Sequence, residues 1–442
     1  MDDRSAVYPF VSRGGPAPLT VVRSEGVWLV TEDGRRILDA AGGAIVASIG
    51  HGREEVAAVA ARALAETTFV VPPFATPQRV ALVERLRRHW LPKPLARAVF
   101  ASGGSEAVDL ALRIARQHHV CAGRPERWKI IGRELSYHGA TLATLAVGGH
   151  RARRRGLEPL LIEHPKAPAC DPLRCEHCRG AGGCTLACAD AIEEILLREG
   201  PETVAAVIAE PIVGSTAGAL VPPDGYWPRL REITKRHGVL LVADEVMTGF
   251  GRTGREFAVD HFGVVPDLLV GGKGLAAGYA PISGVYASDE VVAPIAERGE
   301  EVMFYTYSAH PASCAIADKV LEIMERESLV ARAAEMGGYL HERLARLRDH
   351  PNVAEVRGRG LLQAIEIVRD RDTLEPFAEA HHVATRTVLA GLGRGVFFYP
   401  GGTRPGPDVV CVGPPFTISK PEIDRIVDVL EESLGAAVAS IG

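Results

Sequence analysis

The sequence predicts an α/β fold with a mostly parallel central sheet, and three observations carry that prediction. Short apolar runs of strand length recur through the middle of the chain, at residues 99–101, 129–131, 203–210, 239–243 and 267–270. Most are apolar almost throughout rather than alternating, as expected of strands covered by helices on both faces. The runs also stop abruptly, the fourth in Asp244-Glu245 and the fifth in Gly-Gly-Lys-Gly at 271–274.

Composition narrows the possible functions. A chain of 442 residues has room for one large and one small domain, and 47% hydrophobic residues are ample for a core. A net charge of −5 gives no general attraction to nucleic acid or to an anionic membrane. No apolar stretch is long enough to span a bilayer, and the opening MDDRSAVYPF lacks the basic-then-apolar order of a signal peptide, so a cytoplasmic location is expected. The 30 prolines and 47 glycines are spread along the chain without repeats or low-complexity tracts.

In chain order, Asp33-Gly34 between residues 27–30 and 37–38 is a strong hairpin signal, followed by a glycine-containing loop at 42–52. Residues 99–101 read as a strand, 102–105 as a turn, and Ala107, Ala111, Ile114 and Ala115 share one helical face. A glycine-rich turn therefore opens a helix whose free N–H groups can bind an anion, although a serine N-cap with glycines for a tight turn fits equally. The strand at 129–131 leads into Ser136-Tyr137-His138-Gly139, where an aromatic ring beside glycine can stack on a flat ligand. The arginines around 151–155 read as a solvated face. Residues 203–210 form a strand ending in Glu210-Pro211.

Open α/β sheets bind ligands along the carboxyl edge of their strands. Asp244 and Lys273 both leave strands at that edge, with glycines on each side of the lysine that let the backbone bend and a ligand approach. An acid and a lone lysine so placed suit a pyridoxal phosphate site. The amine holds the aldehyde as a Schiff base, and the aspartate keeps the pyridine nitrogen protonated so that the ring acts as an electron sink. Nucleotide hydrolases also carry Asp-Glu after an apolar strand, and a lysine between glycines can be a simple turn.

The wording of these segments goes further. ADEVMTGFGRTG followed by DLLVGGKGLAAGYAPISG resembles the class III, or ω-, aminotransferases of the fold-type-I pyridoxal phosphate enzymes. The resemblance implies Lys273 and Asp244 as catalytic residues, Gly104 and Ser105 in the phosphate cradle, Tyr137 over the pyridine face with His138 beside it, Val246 against the opposite face, and Glu210 bordering the cofactor. It places Ile45 in the substrate loop, at a position where many amine transaminases carry tryptophan. The segment Thr306-Tyr-Ser-Ala-His-Pro resembles one whose threonine reaches the phosphate of the neighbouring subunit, which implies a homodimer with shared active sites, a tetramer being left open. Arg404, in a Gly-rich loop, falls where such enzymes often keep a switching arginine for the substrate carboxylate.

The same resemblance implies three parts: residues 1–65 and 326–442 in a small α+β domain formed by both termini, and residues 66–325 in the large cofactor domain. Within the latter, an insertion at about 168–190 holds five of the chain's eight cysteines, Cys170, Cys175, Cys178, Cys184 and Cys188, together with His177. Disulfides, a zinc loop and free thiols all remain open there, and no metal is assigned to the active site. The expected reaction moves an amino group from a small amine or ω-amino acid to a keto acid such as pyruvate. A related aminomutase or racemase would keep every motif, a nicotinamide enzyme would need a Gly-x-Gly-x-x-Gly turn that 102–105 lacks, and a non-enzymatic zinc-dependent module would rest on the cysteines alone.

Overall fold

The computed structural model describes residues 19–175, 184–403 and 406–441. Three sheets organise them. The central one has seven strands, β4 (Arg97–Ala101), β5 (Lys129–Arg133), β6 (Lys166–Ala167), β7 (Val204–Ala209), β8 (Leu240–Glu245), β9 (Leu268–Gly271) and β10 (Ser283–Ala287), in the order β4-β10-β9-β8-β7-β5-β6. Only β10 runs against its neighbours, so the sheet is mostly parallel as expected. Every residue of β7 and β8 is buried, which is why these strands read as unbroken apolar runs.

Alternate residues of each strand feed two apolar layers. Ala206, Ile208, Val242 and Val270 pack with Val108, Ala111 and Ala115 of the helix Gly104–Cys121, whose expected apolar face is fully buried. Val207, Leu241, Ala243 and Leu269 face the opposite layer, with Trp227 and Leu230 of the helix Tyr226–His237. Among the described residues no helix is long and apolar enough to cross a membrane.

The two remaining sheets come from the ends of the chain. β1 (Val21–Glu25), β2 (Trp28–Thr31) and β3 (Arg36–Asp39) form the expected hairpin and its extension, and β13 (Val396–Phe397) completes that sheet by pairing Val396 with Leu38 in parallel. β11 (Val353–Arg359), β12 (Leu362–Ile367), β14 (Tyr399–Gly401) and β15 (Asp408–Val412) form the other, in the order β11-β12-β15-β14. The apolar run at 396–399 is therefore split between two sheets. Phe398 is the pivot, its side chain fully buried between them.

In the cysteine-rich insertion, Cys170 and Cys188 are buried thiols, each 4% exposed, and among the described residues no group of three or more ligands could hold a metal. Cys178 and His177 lie outside the described residues.

Candidate active site

Strand parity decides which side chains meet. Val242 packs under the helix Gly104–Cys121, and Asp244, two residues on, emerges on that same side of the sheet. Glu245 emerges on the other side. There it accepts hydrogen bonds from the Thr248 hydroxyl and from the N–H groups of Ala258 (3.0 Å) and Val259 (2.8 Å), and burial lifts its carboxyl to about 7. The second acid of the Asp-Glu pair thus serves local structure, and the first faces the ligand edge.

Asp244 is 4% exposed and has both oxygens engaged. Oδ2 accepts from His138 Nδ1 at 2.7 Å and Oδ1 from the Val246 N–H at 3.1 Å. A carboxylate only accepts, so Nδ1 donates in this contact. The ring's Nε2 is buried without a hydrogen-bond partner among the described residues, 4.0 Å from Glu210 Oε2. The neighbouring strand ends are laced together. Arg133, buried at the end of β5, donates from Nη2 to the Glu210 carbonyl at 2.6 Å and its carboxylate at 3.3 Å. Glu210 Oε1 in turn accepts the Tyr137 N–H at 3.0 Å.

Lys273 follows β9 with φ 38°, in the left-handed region that a residue with a side chain enters only under strain. The glycine before it is a steric need, since a Cβ on Gly272 would lie 2.6 Å from Ser283 Oγ. Burial holds the Lys273 amine down at about 8; Asp244 nearby opposes the shift and the Arg252 guanidinium adds to it. Lys273 is half-buried and lines the cavity. Arg252 itself is enclosed, donating from Nη1 to the carbonyls of Leu361 (3.0 Å) and Pro414 (2.7 Å) and lying 4.7 Å from the Phe416 ring centre.

These groups converge on one cavity of about 220 Å³, lined by Gly104, Ser105, Tyr137, His138, Glu210, Asp244, Val246 and Lys273 among others. Strand parity does not place Val246. The chain leaves the strand at Glu245 and turns, so Val246 is placed by its N–H bond to Asp244 and by packing over Gly104. A Cβ on Gly104 would meet Val246 Cγ1 at 2.8 Å. The helix Gly104–Cys121 opens from an extended Gly103 with no side-chain cap, which leaves its first N–H groups free for an anion. Ser105 Oγ is fixed as an acceptor for the Ala140 N–H at 3.0 Å.

A flat, phosphorylated ring with an aldehyde and a basic ring nitrogen fits this donor set. The uncapped helix start suits the phosphate, the Asp244 carboxylate suits a ring N–H, Tyr137 and Val246 offer an aromatic and an aliphatic surface, and Lys273 offers the primary amine.

Ile45, expected in the substrate loop, is not brought to this cavity. It is 2% exposed and packs with Ile212, Leu362 and Val409, one layer behind the cavity wall. Its φ of 60° turns the side chain into the core. Thr306 is exposed, away from this chain's own cavity. Arg404 lies outside the described residues. Conversely, Ile212, Gly214, Ser215, Met247 and Thr248 line the cavity without having been singled out. The Gly-Ser step after Glu210-Pro211 was the available signal for two of them.

The model of the family "aminotransferase class-III" matches residues 10–434. An uncharacterized aminotransferase of Schizosaccharomyces pombe is 38% identical over 98% of this chain and 96% of its own length. A putrescine–pyruvate aminotransferase of Pseudomonas aeruginosa is 33% identical, covering 95% of this chain and 91% of its own. Among solved structures, a thermostable (S)-enantioselective omega-transaminase from Thermomicrobium roseum superposes with a TM-score of 0.90 at 36% identity, over 97% of this chain and 96% of that one.

Proposed function

Since the chain belongs to the class III aminotransferases, which are pyridoxal phosphate enzymes of fold type I, we propose that it moves an amino group from a small amine or ω-amino acid to a keto acid, pyruvate being the first candidate, in two half-reactions at one site. The observation that carries this reading is the single cavity shared by the enclosed Lys273 amine and the Asp244–His138 pair. The relative that acts on putrescine and pyruvate supports the choice of substrates.

Bound in this cavity, pyridoxal phosphate would supply an aldehyde that takes up the amino group and a ring that stores the electron pair left when a proton departs. The chain's own residues do the rest. Lys273 Nζ, its charged form disfavoured by burial, takes the proton from the substrate carbon bearing nitrogen and later returns it. Asp244, its orientation fixed by His138 and Val246, would hold the ring N–H. Tyr137 and Val246 would cover the two ring faces, and Glu210 with Arg133 fixes the loop that carries Tyr137. Gly104 and Ser105 present first-turn N–H groups to the phosphate. Each such contact is worth only about 0.3–1 kcal/mol, so further donors are needed.

Thr306 would be one, reaching across a homodimer into the other subunit's site. Its exposure on this chain agrees with that role. Thr306→Ala is expected to weaken cofactor retention by about 1–3 kcal/mol, the worth of a charge-assisted hydrogen bond. Unchanged cofactor dissociation on dilution would make the segment an ordinary turn.

A pocket that accepts both an uncharged amine and a keto acid needs a cation that can withdraw, because burying an unpaired carboxylate costs several kcal/mol. Arg404, in its glycine-rich loop, is our candidate. In Arg404→Ala the specificity constant for pyruvate should fall about 10–100-fold, or about 1.4–2.7 kcal/mol, while that for an arylalkyl amine changes by a few-fold at most. Equal losses in both half-reactions would indicate a structural role.

The function as a whole is tested by colour. The purified protein should be yellow, bleach with an amine donor and recover with pyruvate. A colourless protein that gains nothing from added pyridoxal phosphate would sink the proposal.

A further inference from the structure

The arginines at 151–155 do not behave alike. Among the described residues Arg151 pairs with Glu134 and Arg155 with Glu379, while Arg154 donates to the Gly148 carbonyl. Among the described residues Arg153 has no carboxylate within 4.0 Å; its guanidinium lies instead 5.0 Å from the ring centre of Tyr137. Packing holds it there. The Gly149 N–H donates to the Ser136 carbonyl and hydroxyl, both at 3.1 Å, and a Cβ on Gly149 would lie 2.4 Å from the Arg133 carbonyl oxygen. The segment leading to Arg153 is thus fastened to the loop that carries Tyr137.

Arg153 lines a second cavity of about 310 Å³, with His150, Ser215, Thr385, Tyr399 and Gly402. Ser215 lines both this cavity and the one that holds Lys273. No acidic side chain is among the described residues lining the second cavity. His150 hydrogen-bonds Thr403 Oγ1 through Nδ1 at 3.2 Å, and burial holds its imidazole at about 4, so it is neutral near pH 7. Ser215 is tied by its carbonyl to the Gly402 N–H at 2.8 Å. Among the described residues the cavity therefore presents the Arg153 guanidinium without a carboxylate partner, a phenol and a hydroxyl, with a wall in common with the reaction cavity.

We propose that this second cavity is an outer anion subsite, in which Arg153 binds the far carboxylate of a dicarboxylic oxo acid or of the amino acid made from it. The proposal rests on the transaminase reading above. Arg153 does not line the inner cavity, so it is out of reach of a carboxylate attached to the reacting carbon. A carboxylate a few methylenes further out, passing Ser215, meets the planar fork that pairs with carboxylates in bidentate fashion.

The test compares ligands of equal length. Calorimetry on the cofactor-loaded protein should show glutarate binding more tightly than pentanoate, which lacks the second carboxylate. Arg153→Ala should weaken glutarate at least about tenfold and pentanoate far less, with Arg153→Lys falling between. In turnover, the ratio of specificity constants for 2-oxoglutarate and pyruvate should drop by a similar factor. Three results would overturn the subsite: no preference for glutarate in the unaltered protein, an unchanged glutarate affinity in Arg153→Ala, or equal weakening of both ligands, which would mean that Arg153 merely braces Tyr137. Failure of every amine to react would sink the transaminase reading instead, and the glutarate comparison would still decide the role of Arg153.

Discussion

Lys273→Ala should give a folded protein with no measurable amino transfer, a loss on the order of 10⁴-fold or more, because the substitution removes the residue proposed as both covalent anchor and proton carrier. Cofactor should still bind without a covalent link, since the phosphate cradle and Asp244 are untouched. Reduction with borohydride followed by mass analysis distinguishes the outcomes. A reducible linkage surviving in the variant would move the assignment to another lysine. Lys166 is the obvious competitor, because burial holds it at about 8 as well. Its Nζ is committed to the carbonyls of Ala146 (2.8 Å) and His164 (3.2 Å), away from the cavity, so we expect no adduct there.

The depressed Lys273 value also sets a pH dependence. Only the neutral amine attacks an aldehyde, so covalent capture of cofactor by the apoprotein should speed up about tenfold per pH unit below about 8 and level off above it. Stability follows the same proton. The unfolded lysine titrates at 10.5 and the folded one at about 8, so between these values the unfolded chain holds more protons and the apoprotein gains stability as pH rises. At pH 7 the buried ammonium costs at most about 3 kcal/mol relative to the uncharged state, less whatever water in the cavity returns. Lys273→Met should remove that dependence, and a denaturant midpoint in the variant that still climbed between pH 8 and 10.5 as in the parent would show that Lys273 is not its source.

The sequence made the ligand edge readable because parallel strands buried on both faces are written as apolar runs, and a charged residue stands out where such a run stops. Asp244 and Lys273 were legible for that reason, and parity along β8 then separates the roles of Asp244 and Glu245. Other positions depend on backbone states that periodicity does not encode. Ile45 sits in a glycine-containing loop that looked ligand-facing, yet a φ of 60° sends it into the core. The run at 396–399 has one pattern but serves two sheets, because the chain bends at Phe398. Arg153 was one arginine in a charged run, and only the packing of Gly149 against the end of β5 brings it over Tyr137. Ser215 belongs to a segment with no period at all, and its place between two cavities is a tertiary fact.

Asp244→Asn should leave the fold intact and cut the rate by at least about 100-fold, or about 2.7 kcal/mol of barrier. The fold survives because the hydrogen bonds can be remade. If the amide oxygen keeps the Val246 N–H, its NH₂ faces His138 Nδ1, which can accept once the ring's proton sits on Nε2, the nitrogen that faces Glu210 and has no other partner among the described residues. What is lost is the negative charge that stabilises a protonated ring nitrogen, and with it the ring's capacity to hold an electron pair. That charge also favours the Lys273 ammonium, so its removal should lower the amine's value further rather than restore it. A cofactor analogue methylated on the ring nitrogen carries its positive charge permanently and does not need the carboxylate. It should therefore recover part of the lost rate in Asp244→Asn while gaining nothing in the parent enzyme. Near-normal turnover of the variant with the ordinary cofactor would remove Asp244 from the chemistry, and a variant equally slow with both cofactors would assign it a purely positional role.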